Sequence, residues 1–373
     1  MIIGILKEPD YDKRVSLLPE NVKTLIDLKV NVIVEKGAGE NAFYSDQTYI
    51  NSGARIVTRM NIFSDSDLIV CVNSLTEDEN AKLKAKQALL TAFSPLVNVE
   101  LVKRYLSSDI TSFSMDMVPR ISRAQSMDIL SSMATVAGYK AVLTAANHLP
   151  SFFPMFMTAA GTISPSRVLI LGAGVAGLQA IATARKLGAV VEAFDVRSAV
   201  KEEVQSLGGK FIEVEGAKDD ASAGGYAVEQ SEEYKQKQQQ LIQDHAKKAN
   251  VVITTAQIPG RKAPILISKD TVENMLPGSV IIDLAASTGG NCELTENNKI
   301  VEVNHVKIIG NSNFPSELPS DASKMYGNNI INFLKLIIDD EGNLKLDFND
   351  EIVAGTCITH HKEVINERVK SKL

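Results

Sequence analysis

The chain has 373 residues, of which 45% are hydrophobic and 23% charged, with a formal net charge of −6 at pH 7. That length suffices for two domains with sizeable cores, and the composition is that of a globular protein. The acidic balance, with no basic stripe to offset it, argues against nucleic acid as a partner, so recognition of phosphate must be local.

Residues Met1 to Glu8 lack the basic region and long apolar run of a leader and read as a first core strand over Ile2 to Leu6. A helical stretch from Pro19 to Leu28 follows, then a strand over Val30 to Val34. Further apolar runs over Leu68 to Val72, Ala88 to Phe93 and Thr111 to Met115 are separated by helix-forming residues. Strands alternating with helices predict a parallel sheet. Ser126 to His148 is rich in Ala, Leu, Met and Val and free of proline, which predicts one long connecting helix. Pro150, Pro154 and Pro165 then interrupt the chain before a second alternating region begins. Its strands are predicted over Arg167 to Leu171, Val190 to Phe194, Phe211 to Val214, Val251 to Thr255, Val280 to Leu284 and Val306 to Ile309.

Beyond Ser316 a helix is predicted from Asp321 to Ile338, followed by a polar hairpin-like segment and a charged tail, and this part is expected to return to the first domain. The fold class is therefore α/β: two doubly wound parallel-sheet domains joined by a long helix, one a Rossmann domain inserted into the other. The first domain is placed at residues 1–138 and 318–373, the inserted one at 139–317. No uninterrupted apolar stretch approaches the 18 or so residues of a membrane helix. Cys71, Cys292 and Cys357 are far apart and lack metal-ligand spacing, so they are expected to be small buried hydrophobes in a reducing, cytoplasmic compartment, with no metal site.

The stretch that carries chemistry is Arg167 to Asp195. A short apolar strand runs directly into Gly172-Ala173-Gly174-Val175-Ala176-Gly177, which opens a helix ended by Gly188. A second strand then ends in Asp195, 18 residues after Gly177. Strand, glycine turn, helix, strand and acid in this order describe a dinucleotide-binding βαβ unit. Gly172 permits the tight turn, Gly174 lets backbone approach a pyrophosphate, and Gly177 lets helix and strand pack closely. The helix start supplies amide donors and the positive end of a dipole. Asp195 is expected to accept hydrogen bonds from a ribose and repel a 2′-phosphate, which favours NAD(H) over NADP(H).

Gly216 to Gln240 breaks the rhythm: it is long, polar and poor in core residues. It reads either as an active-site lid, with Gly224-Gly225 as its base and Tyr226 able to cover a ring, or as an insertion followed by a solvated helix. Hydride exchange with an alcohol or amine calls for a general acid or base. Of the five histidines, His148 ends a helix, His245 sits on a polar helix, and His360 and His361 lie in the tail. Only His305, preceding a strand, is expected on the cofactor side. The densest polar constellation is Arg120, Ser122, Arg123, Gln125, Ser126, Asp128, Ser131 and Ser132, at the start of the connecting helix. Ser122 or Ser126 could cap that helix, with Asp128 in its first turn complementing the dipole. Equally, these groups could hold a carboxamide without moving a proton.

Taken together, the Arg120 to Ser131 segment, the fingerprint with Asp195-Val196-Arg197, Ala223 to Tyr226, Thr254 to Gly260, Pro277 to Leu284 and Gly289-Gly290-Asn291-Cys292 resemble the NAD(H)-binding component of proton-translocating nicotinamide nucleotide transhydrogenase. The resemblance implies hydride transfer between NADH here and NADP+ on a separate component, coupled to proton movement through a membrane partner. It also implies a homodimer, cytoplasmic and peripheral to the membrane. On matching positions, Arg120, Asp128 and Ser131 would orient the nicotinamide and Gln125 would reach toward the NADP(H) partner. Gly172, Gly174, Val175, Ala176, Gly177, Asp195, Val196 and Arg197 would hold pyrophosphate and ribose. Gly225 and Tyr226 would belong to a mobile loop, while Gln257, Ile258, Pro259 and Leu284 would line the cleft. Alanine dehydrogenase shares the fold but needs an arginine, a lysine and a histidine. Arg14 matches the first, whereas the other two positions fall at about Asn73 and Ser94-Pro95. An amino-acid substrate would therefore lack its electrophile and its proton donor.

Overall fold

The structure, a computed structural model, describes residues 1–214, 232–257 and 261–373. The chain divides into two compact units, residues 1–133 with 315–373, and residues 134–314. Both junctions lie a few residues before the expected 138/139 and 317/318.

The first unit begins with β1 (Ile2–Ile5), β2 (Asn31–Glu35), β3 (Arg55–Val57), β4 (Leu68–Val70), β5 (Ala88–Thr91) and β6 (Thr111–Ser114). The second contains β7 (Phe156–Thr158), β8 (Gly161–Ile163), β9 (Arg167–Leu171), β10 (Val190–Phe194), β11 (Lys210–Phe211), β12 (Val251–Thr254), β13 (Val280–Asp283), β14 (Ile300–Val303) and β15 (Val306–Ile309). The chain then returns to the first unit for β16 (Cys357–His360) and β17 (Glu363–Val364).

In the first unit the sheet order is β17-β16-β6-β5-β4-β1-β2-β3, and in the second it is β11-β10-β9-β12-β13-β15-β14. The expectation of wholly parallel sheets needs correction at three strands, two of them edges. β16 runs antiparallel to β6, β17 to β16, and β14 to β15. Antiparallel strands at the edge of an otherwise parallel sheet are common, and short turns add β17 and β14, whereas β16 reaches β6 only after the whole second unit. Central strands such as β4, β5, β12 and β13 are buried at every position, as helices covering both faces require, and this is why they read as continuous apolar runs.

The helix Pro319–Ile337 begins two residues before the expected Asp321, with Pro319 in the first turn, where a missing N–H costs nothing. Its Phe333 meets Phe113 of β6 edge-on, with centroids 5.6 Å apart. Burying a side chain of that size contributes roughly 2–3 kcal/mol. The connecting helix spans Ile129–His148, three residues shorter than expected, because Ser122–Met127 winds as a 3-10 segment instead. By length and composition this helix is apolar enough to cross a membrane, although Ser, Thr and Lys residues interrupt it. Ala141, Val142 and Ala145 are fully buried in the second unit's core, and a core helix satisfies the same length and composition. The prolines after it frame an unexpected hairpin, β7–β8, whose residues are all exposed.

Candidate functional site

In the second unit the strand order reverses between β9 and β12, and a ligand crevice is expected at the carboxyl ends of strands flanking such a point. The glycine fingerprint follows β9 directly. Gly172 has φ +102°, a conformation that L side chains rarely adopt, and a Cβ there would lie 2.4 Å from Thr255 Oγ1. A Cβ on Gly177 would lie 1.9 Å from the carbonyl oxygen of Gly172, so helix and turn approach as closely as backbone allows. Gly174 precedes the helix Val175–Lys186, and its carbonyl accepts the N–H of Leu178. The amides of Val175, Ala176 and Gly177 therefore come before any intrahelical acceptor. Val175 is exposed and Ala176 half-buried. A Cβ on Gly174 would meet nothing nearer than Arg197 Nη2 at 3.9 Å. Among the described residues, no side chain therefore crowds the backbone at Gly174, where these amides begin.

Asp195 follows the neighbouring strand, β10, and its carboxylate is already in use. Oδ1 accepts Arg197 N–H and Nε–H, both at 2.9 Å. Oδ2 accepts Ala173 N–H at 2.7 Å and Arg197 Nη2 at 2.9 Å. Burial pushes this carboxyl up, but Arg197 and the two amides outweigh it and hold the group below the ordinary carboxylate range. Asp195 therefore fastens the fingerprint turn as well as standing beside it, and Val196 between the pair is exposed.

On the other side of the reversal, Thr255 Oγ1 donates to the Gly172 carbonyl at 3.0 Å. Gln257 Nε2 donates to the Leu284 carbonyl at 2.8 Å. The ends of β9, β10, β12 and β13 thus bring together Gly172, Gly174, Val175, Ala176, Gly177, Asp195, Val196, Arg197, Gln257 and Leu284. Gly225, Tyr226, Ile258 and Pro259 lie outside the described residues. Two contributors escaped the sequence reading. Thr255 lies inside the Thr254 to Gly260 motif without having been singled out, and Gly138 lies within the connecting helix, where a Cβ would come 2.1 Å from the Ala176 carbonyl oxygen. A helical glycine facing the fingerprint was the available signal for the second.

Two histidine expectations change. His305 lies in the turn before β15, which pairs parallel with β13. Its carbonyl accepts the Gly278 N–H, ahead of β13, so it stands at the amino ends of the strands, opposite the fingerprint. His360 is not a free tail residue: it ends β16 and its Nδ1 meets Thr111 Oγ1 at 3.0 Å.

In the first unit, the polar segment takes a form the sequence left open. Asp128 precedes the helix rather than lying in its first turn, and it rather than Ser122 or Ser126 is the cap. Its Oδ1 accepts Ser131 N–H at 3.0 Å and its Oδ2 accepts the Ser131 hydroxyl at 2.6 Å. Arg120 and Gln125 are exposed. The 3-10 segment between them is tied down by the chain's return. Asn329 and Asn332 both donate to the Ser126 carbonyl, at 2.8 and 3.1 Å. Arg123 makes a two-pronged ion pair with Asp350 at 2.7 and 2.6 Å. These anchors lie some 200 positions away along the chain, so no local pattern announces them.

The first sheet reverses between β1 and β4, and its carboxyl-end crevice is filled from within. Arg14 Nε and Nη2 grip Asp12 at 2.9 and 2.5 Å. Asn73 Nδ2 bridges Asp12 Oδ2 and Glu8 Oε2, each at 2.8 Å. Glu8 also accepts the N–H groups of Val72 and Asn73. Burial, against those hydrogen bonds, pushes its carboxyl up to about 7.

Two family profiles cover nearly the whole chain. "Alanine dehydrogenase/PNT, N-terminal domain" matches residues 4–137 and "Alanine dehydrogenase/PNT, C-terminal domain" matches residues 141–367. The chain is 45% identical over 368 residues to "NAD(P) transhydrogenase subunit alpha" of Haemophilus influenzae, covering 98% of this chain and 72% of that protein. The solved structure of a transhydrogenase from Sinorhizobium meliloti superposes with a TM-score of 0.90 at 42% identity, covering 98% of this chain and 100% of that one. An L-alanine dehydrogenase structure, 23% identical over 100% of this chain and 99% of that one, shares the fold with a TM-score of 0.82.

Proposed function

The chain belongs to the alanine dehydrogenase/PNT family, and within it we propose that it is the NAD(H)-binding component of a proton-translocating nicotinamide nucleotide transhydrogenase. The observation that carries this reading is the content of the first unit's crevice. An amino-acid dehydrogenase would need a cation free for a substrate carboxylate and groups to move a proton. Here Arg14 is spent on Asp12, Asn73 offers an amide that cannot titrate, and Glu8, although burial pushes its carboxyl up to about 7, is already engaged by the Val72 and Asn73 N–H groups and the Asn73 side chain. The polar segment Arg120, Gln125, Asp128 and Ser131 supplies hydrogen bonds, with both oxygens of its one carboxylate already bonded to Ser131.

The second unit fits the nucleotide, since its cradle is lined by amides and left open by Gly174. The amides of Val175, Ala176 and Gly177 would hold the pyrophosphate. Asp195 would bind the ribose by exchanging an Arg197 hydrogen bond for a hydroxyl, and Gln257 and Leu284 would line the cleft. By resemblance, Gly225, Tyr226, Ile258 and Pro259 join them. Arg120, Asp128 and Ser131 would orient the carboxamide, the last two already locked to one another, and Gln125 would reach toward the partner. NAD(H), when bound, supplies or accepts the hydride. The contribution of this chain's residues is position, holding one nicotinamide against another without proton transfer.

NADP(H) would sit on a separate component, with a transmembrane component completing the coupling. This chain would then be cytoplasmic, peripheral to the membrane through those partners, and a homodimer. The test is a mixing assay. NADH and an NADP+ analogue should exchange hydride when an NADP(H)-binding component is added, whereas pyruvate with ammonium should leave NADH unoxidised. Turnover only in the second mixture would return the chain to alanine dehydrogenase chemistry, and turnover in neither would leave an NAD(H)-binding scaffold.

A further inference from the structure

Among the described residues, no hydrogen bond joins the Gly289-Gly290-Asn291-Cys292 motif to a group proposed to hold the nucleotide, yet Asn291 is fully buried and its side chain uses its carbonyl oxygen and both amide hydrogens. Its Oδ1 accepts the Ala256 N–H at 3.0 Å, while Nδ2 donates to the Ala256 and Pro264 carbonyls, both at 2.8 Å. One side-chain amide thereby pairs with both backbone groups of a single residue, as a neighbouring strand would, just where β12 has ended.

Ala256 lies between two groups of the nucleotide site. Thr255 on one side holds the Gly172 carbonyl of the fingerprint turn, and Gln257 on the other reaches the Leu284 carbonyl. Asn291 is itself fixed from below. Asp283, the fully buried last residue of β13, accepts the N–H groups of Asn291 at 2.7 Å and Cys292 at 3.0 Å, together with the Thr295 hydroxyl at 2.6 Å. A rigid path therefore runs from a buried carboxylate through one amide to the strand end that carries two site residues. Buried polar groups supporting a site in this way set its geometry without touching the ligand.

We infer that Asn291 is a positioning residue for the nucleotide site, holding Thr255 and Gln257 in register with the glycine fingerprint. This rests on the NAD(H) reading above. In Asn291→Ala the carbonyls of Ala256 and Pro264 lose their donors, and the affinity for NADH, followed by its fluorescence on titration well below the melting temperature, should fall about 10-fold, the scale of one or two lost hydrogen bonds. Thr295→Val separates position from mere stability. It weakens the same Asp283 cluster but leaves Ala256 and Pro264 paired, so it should lower the melting temperature and leave NADH affinity unchanged. Asn291→Ser, which keeps a hydroxyl, should fall between wild type and Asn291→Ala, and it carries the test if the alanine variant does not fold. Wild-type affinity in Asn291→Ala or Asn291→Ser, or loss of affinity in Thr295→Val in proportion to its loss of melting temperature, would overturn the assignment. Failure of the wild-type chain to bind NADH would instead sink the NAD(H) reading itself, and this inference with it.

Discussion

Both units reverse their strand order once, between β1 and β4 in the first and between β9 and β12 in the second, and the two crevices are furnished in opposite ways. In the second, Gly172, Gly174 and Gly177 put no side chain at the turn, and a helix start follows whose first amides have no intrahelical acceptor. In the first, Glu8, Asp12, Arg14 and Asn73 converge on the same topological position and satisfy one another. The topology thus provides two crevices, and the residues after the strands decide how each is furnished. In the first crevice the chain's own carboxylate, Asp12, already holds the Arg14 guanidinium.

The contrast between the crevices is tested hardest at Gly177. Its Cβ would lie 1.9 Å from a backbone oxygen, and neither partner is a flexible side-chain end. Gly177→Ala should therefore cost roughly 3 kcal/mol or more, read as a lowered thermal midpoint, and an unshifted midpoint would mean that the close approach is not needed.

The first crevice is tested through pH. Glu8 has a folded-state value of about 7 against an ordinary 4.5. Its protonated form therefore stabilises the fold, fully below pH 4.5, and that contribution is lost as pH rises through 7. The difference amounts to roughly 3 kcal/mol. Urea unfolding of wild type and Glu8→Gln at pH 4.5 and pH 8 should show this loss in the wild type and its absence in the variant. Parallel pH profiles would show that Glu8 does not titrate in this window.

Asp195→Ala probes how the second crevice holds its ligand. It removes the acceptor proposed for the ribose and frees the Ala173 amide and Arg197. NADH affinity should fall about 10- to 100-fold, from the roughly 1.5–3 kcal/mol of a hydrogen bond to a charged group, while circular dichroism stays unchanged. Unaltered affinity would remove Asp195 from the site. The smallest effect is expected at Arg123, whose ion pair with Asp350 is exposed and of the kind that contributes little. Arg123→Gln should leave the melting temperature within error, and a clear drop would make the tether of the polar segment stronger than its exposure indicates.

What could be read from the sequence was local. The fingerprint, its helix and Asp195 depend on spacing within some thirty residues, and the structure places them where that spacing demands. Buried strands were legible as apolar runs. Asn291 was visible as part of a motif but not as a support, because its partner lies 35 positions away. Asn329, Asn332 and Asp350 were invisible for the same reason. His305 was assigned to the wrong end of the sheet because preceding a strand and following one look alike in a chain of letters, whereas in a parallel sheet they are opposite edges. β16 and β17 were missed because four or fewer residues in a charged tail carry too little periodicity to register as strands.

Those last strands have a consequence for how the protein is made. Thr359 of β16 donates to the Ile110 carbonyl across 249 positions, and Phe333 completes the packing on β6. On the ribosome, the early strands of the first unit emerge long before the residues that finish their sheet, and residues 134–314 are synthesised in between. At ordinary elongation rates that interval is roughly ten to fifty seconds. All of the second unit is therefore synthesised while the first still lacks the strands that complete its sheet.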